Sequence, residues 1–207
     1  MIARKSMRVD LRIIADMIEP GSRVLDVGCD DGQLLSHLTR EKDVDGRGIE
    51  LSMEGVHACV SNGLSVMRGN ADTDLADYPD DAFDFVVLSQ TIQAMRQPRR
   101  TLERLLRIGG KVIVSFPNFG HWRVRMFLMF QGRMPVCDFM PYEWHETPNI
   151  HFCTIRDFVN LCHEMEIEVL RSRALDQNGQ SRRIGAGVGI ANLFGQQAVF
   201  LLRRKSA

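Results

Sequence analysis

The residues best suited to chemistry gather in one stretch, Val24-Leu25-Asp26-Val27-Gly28-Cys29-Asp30-Asp31-Gly32-Gln33. An aliphatic run leads into a turn with two glycines and three carboxylates, then into Leu34, Leu35 and Leu38 at helical spacing. Gly28 lets the backbone turn tightly with no Cβ in a ligand's way, and Gly32 does the same where the helix starts. Strand, glycine turn and helix in this order make a nucleotide-binding unit, and charge decides which nucleotide. A dinucleotide site needs G-x-G-x-x-G and lays a pyrophosphate on the helix N-terminus. Here the second and third glycine positions hold Asp30 and Gln33. Two like charges 4 Å apart repel by about 4 kcal/mol at an effective dielectric near 20, so Asp26, Asp30 and Asp31 oppose a pyrophosphate. S-adenosyl-L-methionine carries no phosphate and presents a sulfonium and an ammonium, which acidic surroundings favour. Glu50, at the end of the next aliphatic run, can accept hydrogen bonds from both ribose hydroxyls.

These residues need a frame. Arg23–Val27, Gly46–Leu51, Leu64–Met67, Phe83–Leu88 and Lys111–Phe116 read as short strands, and Val169–Arg173 and Ala198–Leu202 as two more. Phe83–Leu88 is apolar apart from Asp84, as suits a parallel strand buried on both faces. Leu11–Ile18, Leu34–Leu38, Met53–Ser61, a segment opening at Pro98 and one capped by Thr154 read as helices. Asp84 belongs to the start of its strand and is expected to fix local structure. Strand and helix alternate, which predicts an α/β fold with a doubly wound, mostly parallel seven-stranded sheet. The last two strands follow one another with no convincing helix between, so one edge is expected to be antiparallel. Gly185–Gly189 reads as a flexible loop before the last strand. Ligand then binds at the carboxyl ends of the strands, where the winding reverses.

The 207 residues suit a single domain, 1–207, with an inserted cap at about 118–153. Lys+Arg and Asp+Glu balance at 26 each, so no basic field argues for nucleic acid. The five cysteines form no CxxC pair, which argues against a metal site or a secreted disulfide framework and for a reducing cytoplasm. No apolar run is long enough to span a membrane, and Met1–Asp10 lacks a signal-peptide core.

The stretch around Asp26 resembles motif I of class I methyltransferases, D/E-x-G-x-G-x-G, with Asp30 in place of the middle glycine. Glu50 matches the acidic residue that ends the family's second strand, and Asn70-Ala71-Asp72 the loop after its third. Phe83–Ser89 and Gly109–Ser115 match the fourth and fifth strands, so the likeness covers roughly 7–117. It implies a Rossmann-like class I methyltransferase fold and S-adenosyl-L-methionine as cofactor. The cofactor-binding residues it implies are Asp26, Gly28, Cys29, Asp30, Gly32, Glu50, Leu51, Asn70, Ala71, Asp72, Ser89 and Gln90, with Asp72 on the adenine amino group. Ser89–Ala94, Ser115–Phe119, Gly132–Pro135, Thr147–Thr154 and Asn192–Phe200 extend the resemblance to the MetW family of methionine biosynthesis over nearly the whole chain. His145 departs from it, standing where an aromatic is expected. The MetW likeness implies homoserine O-acyltransferase as a partner, and a homodimer is compatible with it. It leaves open whether the protein transfers methyl groups to a small molecule or senses the cofactor.

Methyl transfer is mainly a matter of positioning, with a base required when the acceptor must lose a proton. No Asn/Asp-Pro-Pro-aromatic motif is present, which disfavours adenine amino methylation, and no cysteine suits attack on a pyrimidine. The base candidates are His121, His145 and His151, all in the insertion. His151 is favoured because Asn149 and Thr154 flank it, with Tyr142 as the alternative. Trp122, Met126, Met129 and Phe130 form an apolar stripe that suits core packing, a lid or a docking face.

Overall fold

The computed structural model describes residues 7–176, 179–185 and 187–205. Residues 1–6 of the charged N-terminal stretch, and Ala186 of the glycine-rich loop, lie outside them. The strands are β1 (Arg23–Val27), β2 (Asp45–Glu50), β3 (Ser65–Arg68), β4 (Phe83–Ser89), β5 (Gly109–Pro117), β6 (Ile167–Leu175), β7 (Ser181–Arg183) and β8 (Gln197–Arg204). They form one eight-stranded sheet in the order β3-β2-β1-β4-β5-β8-β6-β7. The five strands from β3 to β5 pair in parallel, and β8, β6 and β7 continue in antiparallel. The sheet has one strand more than the seven expected. β7 is a short exposed Ser-Arg-Arg edge, without the alternation that marks a strand.

The helices are α1 (Val9–Met17), α2 (Gln33–Lys42), α3 (Met53–Ser61), α4 (Ala71–Asp74), α5 (Pro98–Ile108), α6 (Trp122–Gln131), α7 (Ile155–Glu164) and α8 (Val188–Phe194). α8 lies between the last two long strands, where the sequence predicts no helix, and begins within the glycine-rich run. Two apolar layers sandwich the sheet. On one face, Leu11 and Ile14 of α1 and Leu34 and Leu38 of α2 pack on Val24, Val87, Ile113 and Val199. On the other, Leu102 and Leu105 of α5 and Phe158 of α7 pack on Leu25, Val86, Val112 and Phe200. Phe158 sits 4.8 and 4.9 Å, ring centre to ring centre, from Phe116 and Phe200. A reciprocal capping box of Thr154 and Asp157 starts α7, as its sequence anticipates.

At the opposite end from the cleft described below, Asp84 accepts from the Arg23 backbone N–H (2.8 Å) and pairs with its guanidinium (2.9 Å). Hydrogen bonding to Arg23 holds its carboxyl below the usual range. Asp84 thus pins β4 to β1, as expected. Because β2 lies on one side of β1 and β4 on the other, the winding reverses beside β1. That reversal opens a crevice at the strands' carboxyl ends.

Candidate functional site

The crevice is a cleft of about 860 Å³. Its floor is the loop after β1. Gly28 (φ +77°) and Asp30 (φ +51°) lie in the left-handed region, as does Gly32 (φ +74°) where α2 begins. Aspartate tolerates that region better than most residues, which accounts physically for Asp30 at a glycine position. The backbone N–H groups of Gly28 and Cys29 both donate to the Ile49 carbonyl, at 2.8 and 3.3 Å, tying the loop to β2. The Glu50 carboxylate completes the tie, accepting from the Asp30 N–H (3.0 Å) and the Ser52 N–H (2.8 Å).

Eleven of the twelve residues expected to touch the cofactor line the cleft. Gly32 is not among the lining residues. A Cβ there would strike Leu64 and Cys59, so its glycine is required for packing beneath the loop. Gly28 is tight as well, since a Cβ would sit 2.9 Å from the Thr91 hydroxyl oxygen. Asp72 accepts from the Arg96 N–H (3.1 Å) at the cleft edge, and Asn70 caps α4 through the Asp72 N–H (2.9 Å).

Asp26 is 3% exposed yet borders the cleft. Burial raises its pKa to about 7; the Arg8 guanidinium works against the rise and the Glu50 charge adds to it. A carboxylate in this state is short of positive charge, and a cation entering the cleft would supply it.

Sequence reasoning missed the residues that brace this floor. Arg8 grips the buried Asp10 carboxylate through two nitrogens (3.2 and 3.0 Å) and donates to the Ser89 hydroxyl (3.1 Å). The Gln90 side-chain amide donates to Asp10 at 3.1 Å, and the Gln90 N–H to the Ser115 carbonyl at 2.8 Å. Gln90 itself has φ +53°. The start of α1 thereby fastens the ends of β4 and β5. In the sequence, Arg8 and Asp10 are simply part of the charged N-terminal stretch. The sole signal was an acidic residue on the side of α1 that carries Leu11 and Ile14.

The segment after β5 roofs the cleft. It hinges on Asn118, which is fully buried. Its amide donates to the Asn192 and Gly195 carbonyls (2.8 and 2.7 Å), and its oxygen accepts from the Gly120 and Ile155 N–H groups (3.0 and 3.2 Å). Tyr142 lines the cleft; His151 is not among the lining residues. The His151 N–H donates to the Gln93 carbonyl (2.9 Å), and its ring Nε2 lies 3.4 Å from the Arg96 carbonyl. His121 is buried and caps α6, accepting from the Arg123 N–H at 3.3 Å. Desolvation lowers its pKa, and it also hydrogen-bonds the Phe194 backbone. His145 is exposed beside Trp144. The geometry brings no imidazole to the cleft wall. Of the Trp122, Met126, Met129 and Phe130 stripe, none is core; Met129 and Phe130 are 65% and 73% exposed. All five cysteines are free thiols, and no metal-holding group of side chains occurs among the described residues. No helix there is long and apolar enough to cross a membrane.

Solved structures share this architecture. A SAM-dependent methyltransferase from Thermotoga maritima superposes with a TM-score of 0.68 at 19% identity, over 95% of this chain and 88% of that one. The likeness is one of fold, and it is the Rossmann-like fold of the class I methyltransferases. Within that class, the profile of the family described as methionine biosynthesis protein MetW matches residues 8–202, and the chain belongs to this family. The bifunctional methionine biosynthesis protein MetXA/MetW of Rhodopirellula baltica is 32% identical over 79% of this chain, which spans 28% of that protein. Ajmaline N-methyltransferase of Rauvolfia serpentina is 24% identical over 76% of the chain, which spans 57% of its length.

Proposed function

We propose that the chain binds S-adenosyl-L-methionine in this cleft and, in the cytoplasm, acts with a homoserine O-acyltransferase in methionine biosynthesis. The observation that carries the binding is Asp26, a buried carboxylate at the cleft whose pKa burial raises to about 7. Asp26 holds the ammonium of the amino-acid end, Glu50 the ribose hydroxyls, and Asp72 the adenine amino group. The glycine loop lets backbone, not side chain, meet the nucleoside. When bound, the cofactor supplies a methyl group on sulfonium that is already activated for in-line displacement. Tyr142, which lines the cleft, handles an acceptor's proton where one must leave. The partnership is supported by the Rhodopirellula protein, whose name joins MetXA and MetW in one chain.

Calorimetric titration of the protein with S-adenosyl-L-methionine and S-adenosylhomocysteine tests the binding, and no heat with either refutes it. Co-purification with a homoserine O-acyltransferase tests the partnership. Failure to associate at micromolar concentrations counts against it and leaves the cofactor site untouched.

A further inference from the structure

The wall of the cleft divides by charge. The elements up to α5 contribute Arg8, Asp26, Asp30, Asp31, Glu50, Asp72 and Arg96. Between Pro117 and Phe152, by contrast, every lining residue is uncharged. That stretch is not poor in charge: it carries Arg123, Arg125, Arg133, Asp138, Glu143 and Glu146, none of which reaches the cleft. Its contributions are Phe119, Phe139, Tyr142, Trp144, Ile150 and Phe152, among others. Phe119 and Phe152 pack with ring centres 4.9 Å apart. Tyr142 and Trp144 stand 52% and 69% exposed, which leaves ring area free to meet a ligand. Sites for one drug-sized ligand run to about 300–1,000 Å³, and 860 Å³ lies near the top of that range.

We infer that this uncharged aromatic roof is a second subsite, for an uncharged small molecule with an aromatic or branched aliphatic body. The inference rests on the cofactor occupying the acidic floor. An aromatic body stacks on the exposed rings and removes their apolar area from water. An anion would shed its hydration against a roof with no cation and would face a wall where five carboxylates outnumber two guanidinium groups. A cation would be drawn by those carboxylates and by the ring faces, but the positive charge of the bound cofactor occupies that field first.

The experiment is calorimetric, on the whole protein, with and without sinefungin, a cofactor analogue that keeps a positive charge at the methyl position. The probes are quinoline, 1-naphthoate and N-methylquinolinium, which share a bicyclic shape and differ in charge. Quinoline is expected to bind at least tenfold more tightly than 1-naphthoate in both states, and than N-methylquinolinium once sinefungin is bound. Phe152→Ala and Trp144→Ala, both at exposed positions, should weaken quinoline at least fivefold and leave sinefungin within twofold. Either ion binding as tightly as quinoline under those conditions overturns the inference, as does failure of quinoline to bind or its indifference to both substitutions. Failure of sinefungin alone refutes the cofactor reading, and the quinoline–naphthoate ranking on the empty protein still decides the roof.

Discussion

Replacing Asp26 with asparagine should stabilise the empty protein while weakening its grip on the cofactor. In the folded chain burial lifts this carboxyl from 3.8 to about 7. At about 1.4 kcal/mol per pH unit, the rise amounts to about 4 kcal/mol. Below pH 3.8 both folded and unfolded chains hold the proton, so nothing is lost. As pH climbs toward 7 the unfolded chain ionises first, and the folded state loses stability until its own carboxyl ionises. The Asp26→Asn variant carries no such charge, so its advantage should be full at pH 8 and smaller at pH 5. That difference is about 2–3 kcal/mol, or roughly 5–10 °C in Tm for a chain of this size. Thermal melts of both proteins at the two pH values measure it. The cofactor's affinity should move the other way. In the natural protein it should fall about tenfold between pH 7 and pH 5.5 as Asp26 takes up its proton. In the variant it should be weaker by roughly 10- to 100-fold, the worth of one charge-assisted bond, and lose that pH dependence. An equal gain in Tm at both pH values, or unaltered affinity in the variant, would show that the buried charge is not what this floor is built around.

Three further perturbations follow from the same geometry. Gly28→Val forces a branched side chain into φ +77° and against Thr91, so titration should detect no cofactor binding. Unchanged affinity would remove the loop from the site. Asn118→Ala orphans two buried carbonyls and two N–H groups, and should cost at least about 3 kcal/mol in chemical denaturation. A loss under about 1 kcal/mol would mean the roof is anchored elsewhere. Arg8→Ala removes the charge that holds Asp26 down, so the midpoint of pH-dependent cofactor binding should move to higher pH. A midpoint that stays put or falls would refute that coupling.

The parts of this molecule that the sequence discloses are those whose cause is local. β4 and β5 announce themselves because strands buried on both faces must be apolar throughout. The turn at Gly28 does so because positive φ selects few residues. Glu50 follows from its place at the end of β2, and Asp72 from the motif likeness alone. What stayed hidden depends on distant partners. Arg8 and Asp10 form a pair over the ends of β4 and β5, and nothing nearby in sequence marks Asp10 as buried. Nothing local marks Asn118 as an anchor, whereas its four hydrogen bonds reach Gly120, Ile155, Asn192 and Gly195. His151 stands in the right segment, but its neighbours Ile150 and Phe152 border the cleft and it does not. The apolar stripe on α6 has the spacing of a core helix, and only Val124 of that helix is buried. α8 opens on glycines and β7 is polar, so neither carries the periodicity that betrays an element.

The seat of β8 between β5 and β6 also dictates an order of assembly. Residues 197–204 are made after β6 and β7, and until β8 is in place that pair has no link to the rest of the sheet. β5, buried along most of its length, meanwhile offers a row of unpaired amides and carbonyls to any passing polypeptide. Closure is a long-range event, of the kind that folds slowly and invites aggregation during synthesis. Expression trials with this protein should therefore be sensitive to temperature and chaperone supply.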